Sequence, residues 1–180
     1  ILGNLILNFS KLLNQKATHI PSAQHVLDED YYKRIEAIQF TMAHDDGMKT
    51  DDIKSADIIL LGVSRTSKTP TSIYLANRGY KTLNIPLVGN QEIPTLLKEE
   101  FSKFCVIGLV VEASRLSDIR TNRLELMKEA TIPNYSNLEF VQKELNESKK
   151  LFNKYNWPII DVTRKSVEET AASVIRILEI

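Results

Sequence analysis

Apolar residues recur along this chain at two different spacings, and the change from one spacing to the other divides it. From Ile1 to Leu13, and again from Asp28 to Met42, they return every three or four residues, which predicts two amphipathic helices. Acidic residues open the second segment, where they suit the positive end of a helix dipole. We therefore expect residues 1–50 to form a helical appendage.

Beyond Ala56 the pattern changes to short apolar runs separated by helical segments. The run from Ile58 to Leu61 is apolar at every position, which is typical of a strand covered on both faces. This alternation indicates an α/β fold with a parallel sheet flanked by helices over residues 51–180. The expected strands are Asp57 to Val63, Thr82 to Val88, Cys105 to Val111 and Pro158 to Val162.

Two later helices are predicted from capping boxes, in which a serine is followed three residues later by a glutamate. The first box, Ser136 with Glu139, precedes a periodic apolar segment, and the second, Ser166 with Glu169, precedes the last one. The residues expected on the buried side of the first of these helices are Leu138, Val141, Leu145 and Phe152.

The composition argues against some classes of protein but does not identify a function. Lys and Arg together number 23, as do Asp and Glu, so no net charge attracts nucleic acid or an anionic membrane. No apolar stretch reaches the roughly 18 residues of a membrane span. The single cysteine, Cys105, excludes an internal disulfide and fits a cytoplasmic protein. Because the chain starts at Ile1 without an initiator Met, we expect an N-terminal portion to be missing.

The segment from Gly62 to Thr69 has the pattern of a phosphate-binding loop. It follows a predicted strand directly and leads into a helical segment from Thr69 to Arg78, which Gly79 ends. Backbone N–H groups of such a loop surround an anion, and the start of the next helix adds a positive dipole end. Lys68 can reach the outer phosphate, and the Thr69 hydroxyl can bind Mg²⁺. The expected nucleotide-binding residues are Gly62, Val63, Ser64, Arg65, Thr66, Ser67, Lys68 and Thr69.

One position departs from the G-x-x-x-x-G-K-[ST] pattern, because Ser67 stands where the second glycine is expected. A serine there must avoid positive φ or adopt it with strain. The alternative interpretation is a solvated loop that contains Lys-Thr by chance. Pro70 favours the helix, since proline is tolerated in a first helical turn.

Two further groups of residues are candidates for chemistry. His44, Asp45 and Asp46, followed by Gly47, can take a proton from an attacking hydroxyl or hold Mg²⁺; the alternative is a helix end followed by an acidic turn. After the third strand come Arg115, Arg120 and Arg123, of which the last two share a helical face. They are either a clamp on phosphates or solvated helix charges.

These residues, taken together, resemble the regulatory proteins of pyruvate, phosphate dikinase and phosphoenolpyruvate synthase. The resemblance extends from about Tyr31 almost to the end of the chain, and a serine at position 67 is usual for this family. The stretches that carry it are His44 to Gly47, Ala56 to Pro70, Tyr74 to Asn77, Asn84 to Val88, Gly108-Leu109, Arg115-Leu116, Ile119-Arg120, Arg123, Asp161 to Thr163 and Ser166 to Glu169.

The resemblance implies a bifunctional enzyme. Family members phosphorylate a threonine of the target enzyme with ADP as donor, and they remove that phosphate with inorganic phosphate, which gives pyrophosphate. By this comparison residues 62–69 bind ADP, and Asp45 and Asp46 are the candidates for proton transfer. Together with the loop chemistry, this makes His44, Asp45, Asp46 and Lys68 the catalytic candidates and Thr69 the expected Mg²⁺ ligand. Either of the two dikinase-type enzymes is the expected partner, and a homodimer is left open. The alternatives are an ATP-dependent small-molecule kinase and a nucleotide sensor without catalysis.

Overall fold

The computed structural model describes residues 2–16, 28–45, 52–88, 93–100, 103–127 and 134–179. Its strands are β1 (Ile58–Val63), β2 (Thr82–Leu87), β3 (Val106–Val110) and β4 (Ile159–Asp161). Its helices are α1 (Leu2–Leu13), α2 (Glu29–Ala43), α3 (Lys68–Ala76), α4 (Thr95–Glu99), α5 (Ala113–Met127), α6 (Leu138–Lys154) and α7 (Val167–Leu178). A short 3₁₀ turn, Ile53–Ser55, leads into β1.

The four strands form one parallel sheet in the order β2-β1-β3-β4. Ile58 lies opposite Thr82 on one side of β1, and Ile59 lies opposite Val106 on the other. The chain leaves β1 toward β2 and later returns to β3, so the strand order reverses beside β1. In open parallel sheets a crevice for ligands forms at the carboxyl ends of the strands at such a point.

Side chains of β1 alternate between two apolar clusters, one on each face of the sheet. Ile58 and Leu60 pack on the face that carries Leu75 of α3 and Val174 of α7. Ile59 and Leu61 pack on the other face, in a cluster with Phe152 and Trp157 among its members. All six residues of β1 are buried. The expected α/β fold with a parallel sheet flanked by helices is confirmed, and the four predicted strands lie within one residue of their expected limits.

The start of α6 differs from the prediction. Asn137 caps the helix, because its side chain accepts a hydrogen bond from the Phe140 N–H at 3.1 Å, so the box of Ser136 with Glu139 is wrong. Leu138 is 52% exposed, so its expected burial is also wrong. The second box is confirmed, since Ser166 and Glu169 each bond the other's backbone N–H at the start of α7. The residues buried on α6 are Val141, Leu145, Ser148 and Phe152.

The two N-terminal helices are present, and they differ in their surroundings. In α1, Leu5, Phe9 and Leu13 are more than half exposed. In contrast, α2 contacts α3 and β2, and the Thr41 hydroxyl accepts a hydrogen bond from the Thr82 N–H. The division of the chain at residue 50 stays a prediction. Among the described residues, no helix combines the length and apolar character needed to span a bilayer.

Candidate active site

The phosphate loop, residues 62–69, turns sharply between β1 and α3. Two of its residues adopt the left-handed backbone conformation, Arg65 with φ 72° and Ser67 with φ 59°. Ser67 thus takes the conformation for which the usual pattern has glycine. Non-glycine residues adopt it at some cost in energy, and it persists where the surroundings hold the chain in place.

Gly62 is required by the close approach of the neighbouring chain. A Cβ atom at this position would lie 2.7 Å from Thr66 Oγ1 and 2.8 Å from the carbonyl oxygen of Leu109 on β3. Both distances are shorter than carbon and oxygen atoms tolerate. The absence of a side chain therefore lets the loop begin directly against β3.

Inside the loop, side chains donate hydrogen bonds to a backbone carbonyl group, and several backbone N–H groups stay available to a ligand. The Val63 carbonyl accepts from Thr66 Oγ1 at 2.9 Å and from Lys68 Nζ at 3.0 Å. Within the described part of the chain, the backbone N–H groups of Arg65, Ser67 and Thr69 donate no hydrogen bond. An anion can therefore accept hydrogen bonds from them, as the sequence pattern predicts.

A pocket of about 340 Å³ opens beside the loop. It lies at the carboxyl end of β1, where the strand order reverses. Loop residues supply its polar wall, and Pro86 of β2 and Ile119 of α5 supply apolar surface. Its lining consists of Ser64, Arg65, Ser67, Lys68, Thr69, Pro70, Pro86 and Ile119.

Asp45 reaches the phosphate loop from the end of α2. Its Oδ1 accepts a hydrogen bond from Thr69 Oγ1 at 3.1 Å and another from Asn84 Nδ2 at 2.5 Å. Asn84 also donates to Thr69 Oγ1 at 3.0 Å, and its side chain is completely buried. The structure therefore brings one predicted carboxylate to the predicted Mg²⁺-binding hydroxyl, although the two residues are 24 positions apart.

His44 precedes Asp45 in the chain, but its side chain contacts Phe40 and Asp52 rather than Thr69 or Asn84. The residue is 4% exposed, and its ring stacks on Phe40 with 4.1 Å between ring centroids and forms a hydrogen bond with the Phe40 carbonyl through Nδ1 at 2.7 Å. Nε2 lies 3.7 Å from an Asp52 carboxylate oxygen. These contacts fix the end of α2, from which Asp45 projects. The catalytic role of His44 stays a prediction, and Asp46 lies outside the described residues.

The three arginines of α5 differ in environment. Arg115 is exposed and Arg123 is half-buried, whereas Arg120 is only 1% exposed. Arg120 pairs with Glu144 at 2.7 Å, so it is neither a solvated helix charge nor a cation open to a phosphate. The two alternatives that the sequence left open therefore both fail for this residue.

Sequence reasoning did not assign roles to Asn84, Tyr135 and Glu144. A faint signal existed for Asn84, which is a polar residue inside an apolar strand and can be buried only with hydrogen-bond partners. For Tyr135 and Glu144 no signal existed, because their partners Ser64 and Arg120 are distant in sequence.

Asp161 and Cys105, which both lie outside the pocket, have shifted pKa values. The Thr163 hydroxyl donates to Asp161 at 2.5 Å and lowers the pKa of that carboxyl group, although partial burial opposes the shift. The same hydroxyl accepts from the Glu112 N–H at 2.9 Å and so joins the ends of β3 and β4. Burial raises the pKa of the half-buried Cys105 thiol, which favours its protonated form.

Comparison with known proteins supports the resemblance. A relative from Pelagibacter ubique is 68% identical over the whole chain, one from Bartonella bacilliformis is 52% identical over 87% of it, and one from Sphingopyxis alaskensis is 51% identical over 94%. All three are provisionally named pyruvate, phosphate dikinase regulatory proteins.

The chain matches only part of the length of each relative. The chain spans 66%, 56% and 63% of their respective lengths. The profile of the family described as kinase/pyrophosphorylase matches residues 1–175. The chain therefore belongs to the kinase/pyrophosphorylase family.

Proposed function

We propose that the protein of which this chain is part is a bifunctional regulator of pyruvate, phosphate dikinase. In one reaction a threonine hydroxyl of the target attacks the β-phosphorus of ADP. The bond from that phosphorus to the bridging oxygen breaks, AMP leaves, and the hydroxyl proton passes to a base. In the other, inorganic phosphate attacks the phosphothreonine phosphorus, the bond to the threonine oxygen breaks, that oxygen regains a proton, and pyrophosphate leaves.

The observation that carries the proposal is the geometry of the phosphate loop. Arg65, Ser67 and Thr69 present N–H groups that lack partners among the described residues, and Lys68 lines the same pocket. A diphosphate needs this combination of aligned donors and a cation. Because pyrophosphate and the diphosphate of ADP are alike, one cradle serves both reactions, with inorganic phosphate taking the place of AMP.

Mg²⁺ fits the pair formed by Thr69 and Asp45. Their oxygens are 3.1 Å apart, close to the roughly 3.0 Å between adjacent ligands in octahedral coordination with Mg–O bonds of 2.0–2.1 Å. When bound, the ion would neutralise charge on the phosphate oxygens. With Asp45 in this position, Asp46 is the remaining carboxylate candidate for the proton transfer.

The names of the relatives support the choice of target, since each refers to pyruvate, phosphate dikinase. Phosphoenolpyruvate synthase is the second candidate that the resemblance implies. We place the reaction in the cytoplasm, which fits a chain with one cysteine.

The decisive test uses the full-length protein with ADP and each purified target, followed by mass spectrometry of the target threonine. We expect a phosphate on the threonine of pyruvate, phosphate dikinase, and its removal with release of pyrophosphate when inorganic phosphate is added. Phosphorylation that needs ATP and ignores ADP would instead favour an ATP-dependent kinase. Binding of ADP with no modified threonine on either target would favour a nucleotide sensor.

A further inference from the structure

Arg120 connects three separate parts of the chain around one buried cation. Its guanidinium donates to Glu144 Oε2 at 2.7 Å, to the Tyr135 carbonyl at 2.9 Å and to the Ser64 carbonyl at 3.3 Å. A buried charge needs such partners because it has lost its water. Two of the partners belong to α6 and the segment before it, and the third, Ser64, belongs to the phosphate loop.

The side chain of Tyr135 also contacts Ser64. The Tyr135 hydroxyl lies 3.1 Å from Ser64 Oγ, and its ring stacks on the guanidinium with 4.6 Å between Arg120 Cζ and the ring centroid. The segment that carries Tyr135 is itself bound to α5, because Ser117 Oγ donates to the Ser136 carbonyl at 2.6 Å. Ser64 is therefore fixed through both its backbone and its side chain.

Fixing the Ser64 carbonyl also fixes the direction of the next N–H group. In a planar trans peptide the C=O and N–H bonds point in opposite directions. Since the Ser64 carbonyl points at Arg120, the Arg65 N–H points away from that buried cation. Ser64 and Arg65 both line the pocket, and the Arg65 N–H has no partner within the described residues. The left-handed backbone of Arg65, with φ 72°, begins at this same peptide.

We propose that Arg120, Tyr135 and Glu144 are positioning residues that keep the phosphate loop in its anion-binding shape. Arg120 and Tyr135 act on Ser64 directly, and Glu144 acts by orienting Arg120. None of the three is among the residues that line the pocket. Their effect on ADP affinity rests on the proposed function, whereas their effect on the order of the loop does not.

Two conservative variants test the proposal. Tyr135→Phe removes only the hydroxyl, and Glu144→Gln removes only the charge that orients Arg120. The matched controls are Tyr80→Phe, at a half-buried tyrosine away from the loop, and Glu147→Gln, at an exposed position on α6. Backbone ¹⁵N relaxation gives an order parameter for each residue, near 0.85 for rigid backbone and below about 0.6 for flexible backbone.

We expect residues 64–67 to be rigid in the wild type and flexible in both variants, with β3 and α7 unchanged. ADP affinity measured by calorimetry falls about tenfold in each variant, because Tyr135→Phe loses one hydrogen bond and Glu144→Gln weakens one charge-assisted hydrogen bond. The controls leave both measurements unaltered. Order parameters in the loop that match the wild type in both variants would overturn the proposal, as would an equal loss of order throughout the chain. Failure of the wild type to bind ADP would instead count against the proposed function, because the relaxation result stands without nucleotide.

Discussion

At the scale of single residues, even the addition of one methyl group at Gly62 has a large predicted effect. Gly62→Ala forces a methyl group to within 2.8 Å of the Leu109 carbonyl, and the backbone of β3 cannot move away easily. We expect the free energy of unfolding to fall by about 1–3 kcal/mol, as for overpacked sites, together with a loss of ADP affinity.

The control for this substitution is Gly3→Ala in α1, where a Cβ would meet no atom within 4 Å. Alanine favours a helix over glycine by up to about 1 kcal/mol, so this variant keeps or gains stability in urea unfolding. Equal stability of both variants would show that Gly62 is not in close contact with β3.

Asp161 gives a prediction about pH. Because the Thr163 hydroxyl lowers the folded-state pKa of Asp161, the ionised carboxylate stabilises the fold above its unfolded pKa of about 3.9. That contribution is lost as the pH falls through the lower, folded-state pKa. Asp161→Asn should therefore be less stable than the wild type at pH 7, with the difference shrinking below about pH 4.

Urea unfolding at several pH values measures this difference. The exposed Asp118, which makes no hydrogen bond to a described residue, provides the control Asp118→Asn. A difference between wild type and Asp161→Asn that stays constant from pH 7 to pH 3 would contradict the assigned role of the Thr163 hydroxyl.

Single residues also show which parts of the site can be predicted from the sequence and which cannot. The arrangement of Gly62, Lys68 and Thr69 is local, so the pattern and its strand-loop-helix context predict it. Asn84 and Arg120 depend on partners supplied by other elements, and their contacts exist only in the folded chain. The left-handed conformation of Ser67 was one of two outcomes that the sequence allowed, and the fold selects it.

At the scale of elements, the start of α6 allows a test of which residue caps the helix, Ser136 as the sequence predicts or Asn137 as the structure has it. The Asn137 side chain accepts a hydrogen bond from the Phe140 N–H in the first turn of the helix, whereas the Ser136 side chain makes none to a described residue. Asn137→Ala should therefore destabilise the protein by about 1 kcal/mol, and Ser136→Ala should be nearly neutral. Thermal unfolding measures the stability of both variants. A larger loss of stability in Ser136→Ala than in Asn137→Ala would support Ser136 as the N-cap.

This one-residue error has a simple physical origin. Ser136 and Asn137 are both good N-cap residues, and Glu139 three positions after Ser136 favours the serine. The fold decides otherwise because the Ser136 carbonyl is bonded to Ser117 of α5. The strands β1 and β3 were easier to predict, since each is a short apolar run that the sheet buries.

At the scale of the whole molecule, the fold brings distant segments to the carboxyl end of β1. The end of α2 supplies Asp45, β2 supplies Asn84, and α5 supplies Arg120, all within hydrogen-bond reach of the loop. The α2 helix, which lies in the segment that the sequence analysis called an appendage, contacts the sheet and contributes to the site. Amphipathic periodicity identifies a helix without identifying the surface on which it packs.

The central claim is that residues 62–69 bind the diphosphate of ADP with Lys68 as its cation. Calorimetric titration of ADP with Mg²⁺ tests it in the wild type, in Lys68→Ala and in the exposed control Lys54→Ala. We predict one saturable site in the wild type and in Lys54→Ala, and affinity about 10- to 100-fold lower in Lys68→Ala, the effect of one charge-assisted hydrogen bond. Wild-type affinity in Lys68→Ala, or no binding of ADP to the wild type, would contradict the account.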